Sequence, residues 1–209
     1  MNINQRFLGA NNRTRYGHYE GDTIVSGRTG SKALSVIYER KTKYIQIEKI
    51  NSLKPKENIQ VIQKIFSQFN KTKSITFDNG IENRKHEELH KQTISTFFCD
   101  PYSPWQKGGV ENANKMIRKF IPKGIDISKV HKKYIKQIVE ILNNKPRKSL
   151  NYKTPKEIML ERDLLKNVKK EKKNTLIPVY FSNQYYLDNN LDNKSISANI
   201  NINNSNINN

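Results

Sequence analysis

The succession of hydrophobic periods constrains this chain more than any other feature. From His18 to Ile50 three runs of strand character follow one another, HYEGDTIV, KALSVIYER and KYIQIEKI, and their short connections predict an antiparallel meander. The period then changes. In KENIQVIQKIFSQF, after Pro55, the residues Ile59, Ile62, Ile65, Phe66 and Phe69 recur at helical spacing, which predicts an amphipathic helix. SITFD predicts a fourth strand, RKHEELHKQ a short helix, and TISTFFCD a fifth strand that breaks at Pro101. Beyond the Pro- and Gly-rich loop YSPWQKGG, three more helices are predicted. The first is VENANKMIRKFI, with Val110, Met116, Ile117 and Phe120 on its apolar face, stopped by Pro122 and Gly124. The second runs roughly from Ser128 to Asn144, and the third opens at TPKEIM with Thr154 as N-cap and Pro155 in the first helical position. The order βββαβαβααα is that of an α/β domain with a mixed five-stranded sheet flanked by helices.

Charge narrows the partner. Lys and Arg outnumber Asp and Glu by 38 to 19, a formal charge of +19 that repels itself in the folded state and points to a polyanion, with nucleic acid leading. The excess is uneven: Lys115 to Lys173 holds 19 basic and 6 acidic residues, so most of the basic footprint lies in the second half. Cys99 is the single cysteine, which excludes an intramolecular disulfide and a thiolate zinc cluster, and it reads as a small strand residue. No apolar run approaches the ~20 residues that span a bilayer and the first residues carry no signal-like segment, so a cytoplasmic, nucleoid-associated protein without a membrane partner is expected. Residues 1–15 read as an N-terminal linker, 16–163 as one folded core, and 164–209 as a basic, then Asn-rich low-complexity tail. Ten of its last 21 residues are Asn, and it is expected to be largely disordered.

Three carboxylates carry the chemistry. Asp22 lies within the first predicted strand, Asp78 ends the fourth, and Glu111 opens the helix after the Gly-Gly loop. If the first and fourth strands are neighbours, the three converge at one edge of the sheet. Convergent carboxylates suit hard cations, and two Mg²⁺ ions ~3.5–4 Å apart can activate a nucleophile and stabilise a leaving oxygen on a phosphodiester. Each residue has a plainer reading: Asp78 as a turn former in Asp-Asn-Gly, Asp22 at a bulge after Gly21, Glu111 as a favourable charge at a helix N-terminus. The joint pattern favours the site.

GHYEGDTI at 17–24, ITFDNG at 75–80, FFCDPYSPWQKGGVENANKMIRKFIPKG at 97–124 and LNNKPRKSLNYKTPKE at 142–157 resemble the catalytic half of transposases of the IS-thirty family of bacterial insertion sequences. The resemblance runs from about Tyr16 to Asp163. It implies an integrase-type core with a ribonuclease H-like fold, and it places the acidic triad on Asp22, Asp78 and Glu111. It also implies two Mg²⁺ or Mn²⁺ ions, with Asp22 bridging them, and DNA as partner, both transposon ends and target, handled by a homo-oligomer. Arg118, seven residues after Glu111, shares its helix face and matches a family position that touches phosphate. Lys115 faces the same way, and Lys119 extends the basic surface. Gln106 and Lys107 are candidates for positioning DNA, Asn112 and Asn114 match the family pattern, and Arg147 with Lys148 forms a candidate phosphate patch in a loop. Trp105 reads as a packing anchor. Asn83 departs from the aromatic residue usual at its position, which is expected to alter packing behind Asp78.

The implied reaction is divalent-metal-dependent cleavage and strand transfer at insertion-sequence ends. One alternative is a truncated DNA-binding remnant without useful catalysis, because the chain starts almost at the core and supplies no N-terminal helix-turn-helix region. A minor alternative comes from HEELH at residues 86–90, which fits the zinc-protease pattern with His86 and His90 one turn apart and Glu87 as base. That reading leaves Asp22, Asp78 and the charge unexplained.

Overall fold

The structure is a computed structural model, in which residues 1–27 and 32–166 are described. Its centre is a five-stranded sheet built from β1 (His18–Val25), β2 (Ala33–Glu39), β3 (Ile45–Ile50), β4 (Ser74–Phe77) and β5 (Ser95–Phe98), in the spatial order β3-β2-β1-β4-β5. β1, β2 and β3 pair antiparallel as a meander, whereas β4 joins β1 and β5 joins β4 in parallel. The parallel pairs require crossovers, supplied by α2 (Pro55–Phe66) and the single turn α3 (Glu87–His90). The chain then adds α4 (Gly108–Ile117), α5 (Lys132–Asn143) and α6 (Pro155–Glu161). Before β1 stands a one-turn helix, α1 (Leu8–Asn11), that hydrophobic periodicity did not signal.

Alternation along the strands divides the core into two layers. Ile24, Leu34, Val36, Tyr38, Ile45 and Ile47 pack with Val110, Ala113 and Ile117 of α4 and with the apolar stripe of α5. Tyr19, Ile37, Ile75 and Phe77 point to the other face and pack with Ile59, Ile62, Ile65 and Phe66 of α2, with Leu89, and with Met159 of α6. On β1 the even positions therefore share the α4 face, and on β4 so do Ser74 and Thr76.

Local signals explain the helix limits. Pro55 occupies the first turn of α2, where its missing N–H costs nothing. The helix stops at Phe66, three residues short of the predicted stripe, and Phe69 enters the core from a turn. α5 begins at Lys132 rather than near Ser128, because the Asp126 side chain first caps a short 3-10 turn and the His131 ring then caps the helix by accepting the Lys133 N–H. Thr154 and Glu157 form a reciprocal capping box on α6, as the Thr-Pro-Lys-Glu order predicts.

Residues 1–15 fold onto the sheet. The Met1 carbonyl accepts the Phe98 N–H at 2.9 Å, Ile3 and Ala10 are buried, and the buried Arg40 donates Nε to the Ala10 carbonyl at 3.0 Å. Of the Asn-rich tail expected from residue 164, everything beyond residue 166 lies outside the described residues. No helix of the described residues is long and apolar enough to cross a membrane.

His18 at the start of β1 is buried, with Nδ1 2.8 Å from Ser74 Oγ. Burial, with Lys73 and Arg40 nearby, holds its pKa down at about 4. The unfolded chain, with an ordinary imidazole near 6.5, binds the proton more readily over this interval, so stability falls as pH drops from about 6.5 toward 4. Urea unfolding across that range is expected to show this loss, and a His18→Asn variant to show less of it.

Candidate active site

The parallel register between β1 and β4 ends with Glu20 opposite Thr76. Two residues further on, the same face carries Asp22 on β1 and Asp78 just past the end of β4. Continuing that register beyond its last pair brings the two carboxylates near one another. They meet on one cation: Lys107 Nζ lies 3.2 Å from Asp22 Oδ1 and 3.0 Å from Asp78 Oδ2, and 3.4 Å from the Gly21 carbonyl. Lys107 is buried. Burial disfavours its charged form, but the two carboxylates more than offset this and raise its pKa.

Each carboxylate is also oriented by neutral donors. Asn114 Nδ2 donates to Asp22 Oδ2 at 2.6 Å. Asn83 Nδ2 donates to Asp78 Oδ1 at 3.0 Å, and the Gly80 N–H reaches the same oxygen at 3.2 Å. Asp78 therefore acts as the turn former while its other oxygen faces Lys107. Asn83, held in turn by Asn58 Nδ2 at 3.2 Å, puts a hydrogen bond behind Asp78 where the resemblance suggested an altered packing contact.

The third carboxylate arrives by a different route. Glu20, fully buried on β1 and on the same face as Asp22, accepts the Val110 N–H in the first turn of α4 at 2.7 Å and pairs with Arg40. A Cβ at Gly109 would lie 2.4 Å from the Tyr38 ring and 2.8 Å from Glu20 Oε2, so only glycine lets the helix start approach this closely. Glu111 is the next residue after Val110, half-buried in the first turn. The structure brings Asp22 and Asp78 onto one ammonium. It puts Glu111 on the adjoining helix without bonding it to either, and no group of three or more His, Cys, Asp or Glu among the described residues is arranged to hold a metal ion.

Over 163 residues the chain is 37% identical to transposase InsI of insertion sequence element IS30A from Escherichia coli (strain K12), a match covering 75% of this chain and 41% of the relative. With the transposase of insertion sequence element IS4351 from Bacteroides fragilis it shares 43% over 150 residues, covering 69% and 45%. The chain is a homologue of the IS30-family transposases. It spans less than half the length of these curated relatives. No protein-family model matches it. The fold is that of the integrase catalytic cores, ribonuclease H-like: the catalytic core domain of BIV integrase superposes with a TM-score of 0.53 at 17% identity, covering 70% of this chain and 95% of that one.

The remaining candidate residues divide into surface and scaffold. Lys115 is exposed on α4, and Lys119 is exposed in the turn that follows it. Arg118 caps the end of α4, donating to the Val25 carbonyl at 3.1 Å and the Pro122 carbonyl at 3.2 Å, so its guanidinium reaches the end of the Asp22 strand. Gln106 is engaged at both ends of its amide by Asp100, at 2.8 and 3.0 Å, which ties down the loop before α4. Asn112 is exposed on α4, and Arg147 lies on the opposite side of that helix from Asp22. Trp105 corrects the packing expectation: it is 74% exposed, on a loop that also leaves Tyr102 98% exposed, because the short turn before α4 points it away from the sheet. His86 Nδ1 and His90 Nε2 both lie 2.8 Å from Thr96 Oγ1 and so pin α3 to β5, while Glu87 is exposed. Burial pushes the Cys99 thiol up to about 11, which suits a structural residue.

Glu20 went unread in the sequence, and the bonds that Asn83 and Asn114 make to the two carboxylates were not foreseen. Glu20 had a signal, since it stands two residues before Asp22 and period 2 puts both on one face. Asn83 stood out only as a departure from the family pattern and Asn114 only as a match to it, because an amide in a Lys- and Asn-rich chain carries no mark of its partner.

Proposed function

We propose that this chain is the catalytic core of a DNA transposase that cleaves at insertion-sequence ends and joins a freed 3′-hydroxyl to target DNA. Asp22, Asp78 and Glu111 hold the divalent cations. One observation carries the reading: oxygens of Asp22 and Asp78 converge on a single positive charge at about hydrogen-bond distance. The donor set fits, because carboxylate oxygens suit Mg²⁺ or Mn²⁺. A second feature agrees: Asn114 Oδ1, beside Asp22, is buried with no hydrogen-bond partner. When bound, two such ions supply a polarised phosphodiester and an activated nucleophilic oxygen.

The chain's own residues prepare that site. Lys107 is the resident counter-cation that keeps Asp22 and Asp78 facing one another. Asn114 and Asn83 fix the rotation of the two carboxylates, and Glu20 fixes the start of α4 so that Glu111 is presented beside β1. Arg118, Lys115 and Lys119 flank the site with positive charge for the DNA backbone, consistent with the net charge of +19. Handling two ends at once makes a homo-oligomer the expected working form.

The test is nicking and joining of DNA carrying the element's ends by the full chain, in Mg²⁺ or Mn²⁺, with chelator and Zn²⁺-only controls. Metal-dependent nicking and joining are expected, and chelator is expected to remove both. Turnover that persists in chelator would overturn the reading.

A further inference from the structure

A cleft of about 440 Å³ opens on the side of α4 away from Asp22, between that helix, the β2–β3 turn and the loop joining α5 to α6. Asn112 and Met116, one turn apart on α4, form one wall and Tyr38 another, while Lys43, Arg147 and Lys148 supply charge. Among the described residues no carboxylate lines it. Three cations around one cavity without an anion repel each other, and burial together with Arg13 and Arg147 depresses the Lys43 pKa.

Arg147 is the least satisfied of them. Its Nη2 donates to the Leu142 carbonyl at 3.1 Å, its Nη1 has only the Met116 sulfur at 3.2 Å, and its Nε is buried with no partner. A guanidinium is a fork of donors built for oxyanions, and a thioether is a poor substitute. The loop that presents it is also held in an uncommon shape. Asn151 and Tyr152 are successive non-glycine residues at φ of 53° and 62°, and the N–H groups of Leu150 and Tyr152 both close on the Arg147 carbonyl. Strained loops of this kind persist where surrounding structure fixes them, and they cluster at binding sites.

Helix geometry links the cleft to the active site. On α4, Asn114 faces Asp22 and Arg118 reaches the β1 strand end, whereas Asn112 and Met116 face the cleft. Between these two sides run Lys115 and Lys119, four residues apart and both exposed. We propose that the cleft seats a backbone phosphate of the DNA strand handled at Asp22 and Asp78, the strand crossing α4 over Lys115 and Lys119 to reach Arg147. The proposal rests on the DNA-processing reading and adds to it a second anchoring point.

The experiment is fluorescence anisotropy of a labelled DNA duplex with the full chain, in chelator so that nothing is cut, across a salt series. Lys148→Gln and Ser149→Glu change exposed residues of the cleft, and the second places a carboxylate there. Lys56→Gln, exposed on α2 across the sheet, is the control. Losing one phosphate contact lowers the slope of log affinity against log salt by about one. Lys148→Gln is expected to show that change, Ser149→Glu a larger loss of affinity at low salt, and Lys56→Gln neither. Binding by both cleft variants equal to that of the control overturns the proposal and leaves the catalytic reading intact. Failure of the wild-type chain to bind DNA overturns both. Adenosine monophosphate binding that Ser149→Glu abolishes, with DNA affinity unchanged, overturns it in favour of a free nucleotide.

Discussion

Asp22→Asn is expected to lower metal-dependent strand cleavage at least about a thousandfold while leaving DNA affinity and folding close to wild type. Metal-ion stabilisation of a phosphoryl transition state amounts to several kcal/mol, and each 1.36 kcal/mol is tenfold in rate. Both oxygens of Asp22 are engaged in the site: Lys107 on one, Asn114 on the other. Asparagine keeps its shape but removes the charge that a divalent cation needs. Its Lys107 neighbour retains Asp78 and the Gly21 carbonyl, so the metal-free fold is expected to survive. Comparing initial nicking rates of the purified variant and wild type checks this, and cleavage within tenfold of wild type would remove Asp22 from the metal site.

Glu20→Ala is expected to be the most damaging single change to stability. The carboxylate is fully buried, pairs with buried Arg40, and accepts the Val110 N–H at 2.7 Å. Removing one partner of a buried pair costs about 3–5 kcal/mol, since it leaves the other charge uncompensated. For a domain of this size that corresponds to a fall in Tm of roughly 6–20 °C. Replacing both partners, as Glu20→Leu with Arg40→Met, is expected to recover much of the loss, because two apolar groups leave no buried charge. Such a double variant would still lack the acceptor that fixes α4. Its cleavage is therefore expected to remain impaired even where its Tm recovers, which separates the role of Glu20 in stability from its role in presenting Glu111. A Glu20→Ala loss below about 1 kcal/mol by urea unfolding would contradict the assignment.

The sheet and its helices were legible because their hydrophobic periods are strong. In KYIQIEKI, Ile45 and Ile47 alternate with polar residues and are buried in the strand Ile45–Ile50, and the Ile and Phe residues of α2 sit on one stripe. Boundaries failed where a side-chain cap competed with periodicity, as at His131, where the ring rather than the apolar pattern sets the start of α5. The docking of residues 1–15 was hidden for another reason: Asn- and Arg-rich sequence with little periodicity folds here through backbone bonds to β5 and through Arg40.

In the site, Asp22 and Asp78 were readable because each stands at a fixed place on a strand whose partner could be guessed. Lys107 was named only as a DNA contact, since nothing in PWQKGG says that its ammonium turns inward between two carboxylates. Trp105 was misread for the mirror-image reason. A lone Trp is ordinarily buried, but the turn before α4 is too short to return it to the sheet. Local sequence fixes residue type and spacing, while the direction of a loop side chain depends on packing that forms between distant segments.

The central claim is that Asp22, Asp78 and Glu111 together bind a divalent cation. Mn²⁺ titration followed by electron paramagnetic resonance measures this directly, without DNA or turnover. Saturable Mn²⁺ binding by the wild-type chain, lost in Asp22→Asn and weakened in Glu111→Gln, is the predicted result. Binding of equal affinity in all three proteins, or none in wild type, would contradict the account.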